Sequence, residues 1–397
     1  MSVSVPTLML VPGAAVAAPI LASAIGRWVT VPLVVFEILL GILIGPQVAG
    51  WVRPGPILEF LADLGLAMLF LLAGYEVDFA RIRGRPLRLS AIGWLISLAA
   101  GIVLSLLFAH NAPEAVIVGI CLTSTTLGTL MPILRDAGEL ESRFGAAMLA
   151  IGAAGEFGPL IAVALFLSGR SELRAALILV VFACLIALSL LVTMRYEHWR
   201  VDQLIAASMH SSGQFGIRLV MLVLAVLVGL AVLFGLDMLL GAFAAGILIS
   251  LLLRDVEPGS RTLINEKLDA VGFGFLVPIF FVKTGVTFDA RALFGSAATL
   301  ALVPVFLVLF LVLRGVPATL SAPLGSSWTD RLAIVLFGAT GLPIIVAVTA
   351  IGVDHGELGS STAAALIGAG MISVLIFPLV GLRVRRRSRD QKPRAAD

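Results

Sequence analysis

Long apolar runs separated by short polar segments recur along almost the whole chain of 397 residues. In a helix, a run of about 20 residues crosses the ~30 Å hydrocarbon core of a bilayer, because each residue advances about 1.5 Å. The runs are continuous rather than alternating, which favours helices over a β-barrel. The pattern predicts an all-α polytopic membrane protein with about 13 transmembrane helices. Their approximate limits are 6–25, 31–49, 57–78, 89–109, 114–134, 145–168, 173–194, 217–235, 237–253, 268–287, 295–316, 331–351 and 361–382.

The composition supports this prediction, since 60% of the residues are hydrophobic and only 13% are charged. A soluble domain carries far more charge. Cys121 and Cys184 both fall within apolar runs, so we expect small buried side chains and neither a disulfide nor a metal site. The sequence has no hydrolase constellation, no phosphate-binding loop and no G-x-G-x-x-G after the last span. We therefore expect neither an enzyme, nor a cofactor, nor a nucleotide-gated domain.

Basic residues are distributed unequally between the two sets of loops. Of the 27 Lys and Arg residues, four lie in one set of loops and two lie inside spans, which leaves 21 for the other set and the tail. Because basic loops stay in the cytoplasm, we expect an inner (plasma) membrane protein with its N-terminus outside and its C-terminus cytoplasmic. The basic tail at 383–397 is expected to contact anionic lipid and no nucleic acid. The four are Arg53, Arg170, Arg174 and Arg291, and the two are Lys283 and Arg314.

Thirteen spans can be divided into six, a linker and six, and a single linker span gives the second six an inverted topology. We expect a transmembrane domain over 1–382 with two inverted repeats. Core helices are predicted at about 89–168 and 295–382. Scaffold helices are predicted at about 6–78 and 217–287, and the linker helix at about 173–194.

The fifth span of each half contains hydroxyl residues, glycine and proline in the middle of an apolar run. The first reads CLTSTTLGTLMP and the second reads FGATGLPIIVA. Matched interruptions of this kind are the best sequence pointer to a transport site, because unwound helices expose backbone groups there. The alternative is the ordinary tolerance of membrane helices for glycine and proline. The backbone residues concerned are Gly128, Pro132, Thr340, Gly341 and Pro343.

One carboxylate, Glu156, stands alone in the apolar stretch 144–168. A helix that begins near Gly145 reaches it after roughly 17 Å, about halfway across the hydrocarbon core. An acid at that depth is costly and is a functional-site hypothesis by default. The alternative is a structural glutamate paired with a basic residue of a neighbouring helix. Glu37 and Asp63 are expected to line a solvent funnel or make helix contacts, and Glu76 is expected at the membrane interface.

In this context the sequence resembles the monovalent cation:proton antiporters, in the branch with bacterial sodium/proton exchangers and potassium efflux proteins. The similarity covers roughly residues 28–382. It is carried by VPLVVFEILLGILIGP (31–46), LADLGLAMLFLLAGYEVDFARIR (61–83), LTSTTLGTLMPILRDAGELESRFG (122–145), LLGAFAAGILIS (239–250) and VPIFFVKTGVTFD (277–289). These segments occur in the family's order and at matching spacing. The resemblance implies an antiporter fold with crossed broken helices, usually as a homodimer.

The resemblance also implies roles for particular residues. The family's signature acid falls on Glu156, and the basic residue of the eleventh helix falls on Arg314. The position before the acid is Gly155, where relatives carry a polar or acidic residue, and the second broken helix has no acid. The hydroxyls of the unwound helix fall on Ser124, Thr125 and Thr126.

These residues suggest exchange of Na⁺ or K⁺ for protons by alternating access. Monovalent cations prefer carboxylate, hydroxyl and carbonyl oxygens, and burial favours the protonated form of an acid, so cation and proton would compete for Glu156. A single carboxylate favours one-for-one, electroneutral exchange. Arg314 and Lys283 are each either counter-charges or side chains that snorkel to the interface.

Two rival functions remain open from the sequence. The first is a sodium-coupled organic-anion symporter on a similar fold, which predicts a larger central cavity. The second is a membrane sensor that does not transport and would show no proton flux with any cation gradient.

Overall fold

The computed structural model describes residues 5–25, 32–77, 79–167, 171–195, 214–254 and 258–390, and every regular element in them is helical. Arg170 and the end of the basic tail, from 391 on, lie outside these ranges. The first helices are α1 (Val5–Ile25), α2 (Leu33–Ile44), α3 (Pro56–Glu76), α4 (Phe79–Ile82), α5 (Arg85–Ser105), α6 (Ala112–Leu122), α7 (Leu127–Asp136), α8 (Arg143–Phe166) and α9 (Glu172–Arg195).

The second half of the chain also contains both long and short helices. Two π-helical segments, Gly272–Leu276 and Phe310–Gly315, interrupt it, and a 3₁₀ turn covers Thr319–Ser321. The helices are α10 (Phe215–Leu233), α11 (Met238–Leu252), α12 (Pro258–Val271), α13 (Val277–Thr287), α14 (Ala290–Phe294), α15 (Ala297–Leu309), α16 (Val316–Ala318), α17 (Trp328–Gly338), α18 (Pro343–Asp354) and α19 (Ser360–Asp390).

The prediction of a multi-pass α-helical membrane protein is confirmed. Within the described ranges, nine helical stretches are long and apolar enough to cross a membrane. Four shorter apolar helices, Leu33–Ile44, Ala112–Leu122, Leu173–Leu188 and Met238–Leu252, lie where the sequence predicts the other spans. Backbone groups have no water partners in lipid, which explains why each crossing segment satisfies its hydrogen bonds internally as a helix. The number of 13 crossings stays a prediction.

Glycines let four helices approach one another very closely, and we call α2, α3, α11 and α13 the glycine-packed region. A Cβ added to Gly74 of α3 would lie against the carbonyl oxygen of Phe243 in α11. A Cβ added to Gly41 of α2 would meet the carbonyl oxygen of Val282 in α13 in the same way. Small residues at such contacts are typical of helix pairs in membranes, because they allow backbones to touch.

The two predicted helix breaks are present. Helix α6 ends and α7 begins on either side of residues 123–126, and α17 and α18 are separated by residues 339–342. Both interruptions fall where the sequence has hydroxyl residues next to glycine or proline. We call α6, α7, α17 and α18, with the two linking segments, the crossing region.

The two breaks contact each other directly. The Thr126 N–H donates a hydrogen bond to the Thr340 carbonyl at 2.9 Å, and the Thr126 hydroxyl accepts one from the Leu342 N–H at 3.2 Å. The Thr125 hydroxyl donates to the Gly338 carbonyl at 2.6 Å. Each break therefore supplies hydrogen-bond partners to backbone groups that the other break has left unpaired. Unwound chain is tolerated at membrane depth only when such partners are present.

Candidate ion-binding site

Glu156 lies on α8 beside the start of α7 and is only 4% exposed. Its Oε1 atom accepts a hydrogen bond of 2.6 Å from the N–H of Leu127, the first residue of α7, and the Gly128 N–H interacts with the same carboxylate. Its Oε2 atom is buried and has no hydrogen-bond partner. A helix N-terminus stabilises an anion through its free N–H groups and its dipole. One oxygen is therefore held in place, and the other is free to bind a ligand.

The structural alternative for Glu156 requires a basic partner. In the part of the chain that the structure describes, the ion pairs have Glu114, Glu139, Glu141 or Asp330 as the acid, and Glu156 takes part in none. A buried carboxylate without a cationic partner is costly unless a proton or a bound cation neutralises it. This position favours the functional interpretation over the structural one.

A small cavity of about 20 Å³ adjoins Glu156. Its lining includes Glu156, Thr126, Gly128, Glu76 and Pro343, together with apolar side chains of α3, Phe273 and Ile344. A single water needs roughly 10–15 Å³ of such space. The cavity therefore has room for about one water or one dehydrated monovalent ion. It is far too small for an organic anion.

The second carboxylate at the cavity was not expected. Glu76 was predicted at the membrane interface, but it lines the cavity, and its Oε2 atom is buried without a hydrogen-bond partner. When both acids are ionised, Glu76 and Glu156 repel each other. Leu69, Leu72 and Ala73 also line the cavity and share one helical face with Glu76, but their spacing alone does not show that this face meets a site.

Of the three candidate hydroxyl residues, Thr126 alone lines the cavity. The Ser124 hydroxyl donates to the Cys121 carbonyl at 3.0 Å within its own chain segment. The Thr125 hydroxyl is occupied by the crossing contact already described. Ser124 and Thr125 therefore stabilise the break, while Thr126 connects it to the cavity.

Arg314 is completely buried, in the π-helical segment that follows α15. Its Nε atom donates to the Thr125 hydroxyl at 2.7 Å, and its Nη2 atom donates to the Ile151 carbonyl at 2.7 Å. Its Nη1 atom has no partner. The side chain does not reach the protein surface, so it does not snorkel to the interface. A Cβ on Gly155 would lie 2.6 Å from Nη2, so the guanidinium occupies the space beside this glycine.

Lys283 is not part of this cluster. It lies partly exposed on α13, where it interacts electrostatically with Asp63 of α3. It does not line the cavity. Its position fits the snorkelling alternative better than a direct counter-charge for Glu156.

The predicted backbone residues lie at or next to the site. Gly128 and Pro343 line the cavity, and the Thr340 carbonyl accepts the bond from the other break. A Cβ on Gly341 would lie 2.7 Å from the Ser124 hydroxyl oxygen, so this glycine permits the close crossing. The side chain of Pro132 lies outside the described part of the structure.

Two interrupted helices that cross beside a buried carboxylate define a class of helical membrane transporters with discontinuous spans. Comparison with known proteins specifies the class further. The family model described as "Sodium/hydrogen exchanger, transmembrane" matches residues 14–382. The chain therefore belongs to this family, and the resemblance noted in its sequence is confirmed.

Several relatives carry the same kind of name. The chain is 26% identical over 383 residues to the putative Na⁺/H⁺ antiporter YjbQ of Bacillus subtilis, covering 90% of this chain and 60% of that protein. It is 25% identical over 274 residues to the Na⁺/H⁺-K⁺ antiporter GerN of Bacillus cereus, covering 65% of this chain and 66% of that protein. The chain thus spans less than two thirds of the length of these two relatives.

Another relative and a solved structure match over nearly their whole length. Probable Na⁺/H⁺ antiporter 3 of Methanocaldococcus jannaschii is 24% identical over 360 residues, covering 88% of this chain and 89% of that protein. The structure of the sodium proton antiporter MjNhaP1 from the same organism aligns with a TM-score of 0.62 and 17% identity, covering 96% of this chain and 98% of the other. The structural likeness confirms the antiporter-type fold.

Proposed function

We propose that this chain is a secondary active transporter that exchanges a monovalent cation, Na⁺ or K⁺, for protons by alternating access. The observation that carries the proposal is the unpartnered Oε2 atom of buried Glu156, which adjoins a cavity with room for about one ion. Family membership and the names of the relatives support the same reaction.

In this proposal, proton and cation compete for Glu156. The cation would be bound by the Glu156 carboxylate, the Thr126 hydroxyl and the Glu76 carboxylate, which all line the cavity and are oxygen ligands suited to a hard cation. Proton binding to Glu156 removes its charge and expels the cation. Because a bare carboxylate in the membrane interior is costly, the site crosses only when proton or cation occupies it. This restriction couples the two fluxes.

Arg314 acts as a fixed counter-charge for the core. It forms no ion pair with any described acid, so its positive charge is compensated only at a distance. When Glu156 is ionised, Arg314 offsets part of its charge from a distance, while the Oε2 atom of Glu156 still lacks a partner until a proton or a cation binds. With one carboxylate on the moving helices, the exchange is one proton for one cation.

Leu69 lines the cavity and also packs in an apolar cluster with Phe280, Leu342 and Val346. Glu76, the last residue of α3, lines the cavity, so we place access to Glu156 on the side where α3 ends, which is cytoplasmic if basic loops face inward. Alternating access requires the core helices, about 89–168 and 295–382, to move against the scaffold helices, about 6–78 and 217–287, until this cluster opens.

The proposal includes a homodimer in the inner membrane, in contact with lipid, with the N-terminus outside and the C-terminus cytoplasmic. The organic-anion symporter is disfavoured by the small cavity. A sensor that does not transport remains an outcome of the experiment below.

Purified protein in proteoliposomes with a trapped pH dye tests the proposal. After a pH gradient is formed, Na⁺, K⁺ or Li⁺ is added to the native protein and to Glu156→Gln, which keeps the size of the side chain but cannot ionise. We expect a cation to dissipate the gradient with the native protein and not with the variant. No response of the native protein to any cation would exclude antiport. A response that persists in the variant would exclude Glu156 as the shared site.

A further inference from the structure

Arg385, near the end of the last helix, joins three distant parts of the chain. Its Nε and Nη2 atoms donate to the two carboxylate oxygens of Glu139 at 3.2 and 3.3 Å, and its Nη1 atom donates to Asp330. Glu139 follows α7, and Asp330 lies in the first turn of α17. The guanidinium therefore binds next to the outer ends of two helices of the crossing region, α7 and α17.

This cluster is buried although it lies near the end of a long helix. Glu139 is 2% exposed and Asp330 is 3% exposed. The Arg385 guanidinium also lies 4.4 Å from the ring centroid of Phe144, where a cation and an aromatic face attract each other. Removing one member of such a cluster leaves a buried charge without a partner. These ion pairs therefore hold Arg385, Glu139 and Asp330 in one geometry.

Each carboxylate is itself fixed to the end of a half-helix. The Glu139 N–H donates to the Leu134 carbonyl and closes the last turn of α7, after Gly138 adopts a positive φ of 65°. Asp330 forms a capping box with Ser327 at the start of α17. A shift of either carboxylate would therefore move the helix end to which it is attached.

The opposite ends of the same two helices form the site. Helix α7 begins at Leu127, whose N–H holds Glu156, and α17 ends at Gly338, whose carbonyl receives the Thr125 hydroxyl. Helix α7 has only 10 residues, so it is about 15 Å long. A rigid rod of this length transmits a change in tilt at one end directly to the other.

We propose that Arg385 is a positioning residue for ion binding: by joining Glu139 and Asp330, it sets the placement of α7 and α17 and so the N–H groups that face Glu156. This inference rests on the proposed antiport through Glu156. It gives the last helix a role in the affinity for the cation, although no atom of Arg385 reaches the cavity.

The test compares Arg385→Gln with Arg383→Gln, which removes an exposed arginine two residues earlier on the same helix. We expect Arg385→Gln to raise the cation concentration for half-maximal exchange by about tenfold, as is typical when a residue that orients a ligand is lost. The maximal rate should change much less. Arg385→Lys should give an intermediate value, because an ammonium keeps the charge but cannot bind both carboxylates as a fork.

A second readout does not depend on transport. Amide hydrogen exchange of the peptide that covers 127–136 should be faster in Arg385→Gln than in the native protein, and unchanged in Arg383→Gln. Equal half-maximal concentrations and equal amide exchange in the two variants would overturn the inference. If Arg385→Gln does not fold, the same comparison with Arg385→Lys decides. If the native protein shows no cation-driven proton transport, the proposed function is refuted. Amide hydrogen exchange would still decide whether Arg385 positions α7.

Discussion

The glycine-packed region and the crossing region are held together by opposite means. In the former, α3 and α11 touch through Gly74 and Gly246, whose missing side chains let the two backbones meet. In the latter, the contacts are hydrogen bonds between groups that the breaks have freed, such as Thr126 and Thr340. The glycine-packed region should be sensitive to added atoms, and the crossing region to lost polar partners.

The largest effect is expected from bulk in the glycine-packed region. In Gly246→Leu the new side chain meets the Leu71 carbonyl and backbone atoms next to it, which cannot move aside. We expect a loss of stability of about 3 kcal/mol or more and little folded protein. Gly229→Leu is the control, because a Cβ at Gly229 meets no atom within 4 Å. Similar monodispersity and thermal midpoints of the two variants would contradict the comparison.

A loss of polar partners should be the next most damaging change. Arg314→Met keeps much of the volume but removes the donors to Thr125 and Ile151. Each hydrogen bond from a charged group is worth about 1.5–3 kcal/mol, so we expect exchange to fall by at least about tenfold. Arg314→Lys should recover part of it through its remaining charge. The dye assay, with protein amounts matched, measures this, and native rates in Arg314→Met would contradict the counter-charge role.

A smaller effect is expected from a methyl group in the cavity. A Cβ on Gly128 meets no atom within 4 Å, so Gly128→Ala should leave the thermal midpoint close to that of the native protein. Because Gly128 lines a cavity of about 20 Å³, the methyl group would take space from an ion bound there. We expect the half-maximal concentration to rise by roughly threefold more for K⁺ than for Li⁺, the smaller ion. An equal change for both ions would argue that the cation binds elsewhere.

The smallest effect is expected at Lys283. This side chain lies outside both the cavity and the crossing region, partly exposed beside Asp63. Lys283→Gln should change exchange by less than about twofold, since partly exposed charge interactions are weak. A change as large as that of Arg314→Met would show that Lys283 is a counter-charge, which is the alternative to snorkelling that the sequence alone did not exclude.

Features that depend on local pattern could be predicted from the sequence. Hydroxyl, glycine and proline residues mark the helix breaks, and Glu156 is a lone acid in an apolar run. Arg314 was ambiguous, because a straight helix counted from 295 places it roughly 28 Å along, near the interface. The π-helical turn at Phe310–Gly315 changes the register of that helix and carries the side chain into the core.

Features that depend on distant contacts could not be predicted. Glu76 ends its helix, so counting depth along α3 places it at the interface. It lines the cavity together with Gly128 of α7 and Pro343 of α18, which follow the two breaks. The contact of Arg385 with Glu139 joins residues 246 positions apart, and no local pattern marks it.

The size of the cavity has a consequence for selectivity. An ion that enters a space of about 20 Å³ leaves nearly all of its water shell outside. The energy of dehydration is largest for Li⁺ and smallest for K⁺, whereas the attraction of two carboxylates is strongest for the smallest ion. Preference among the alkali cations would then follow from the balance of these two energies, with the separation of Glu76 and Glu156 as the structural variable that shifts it.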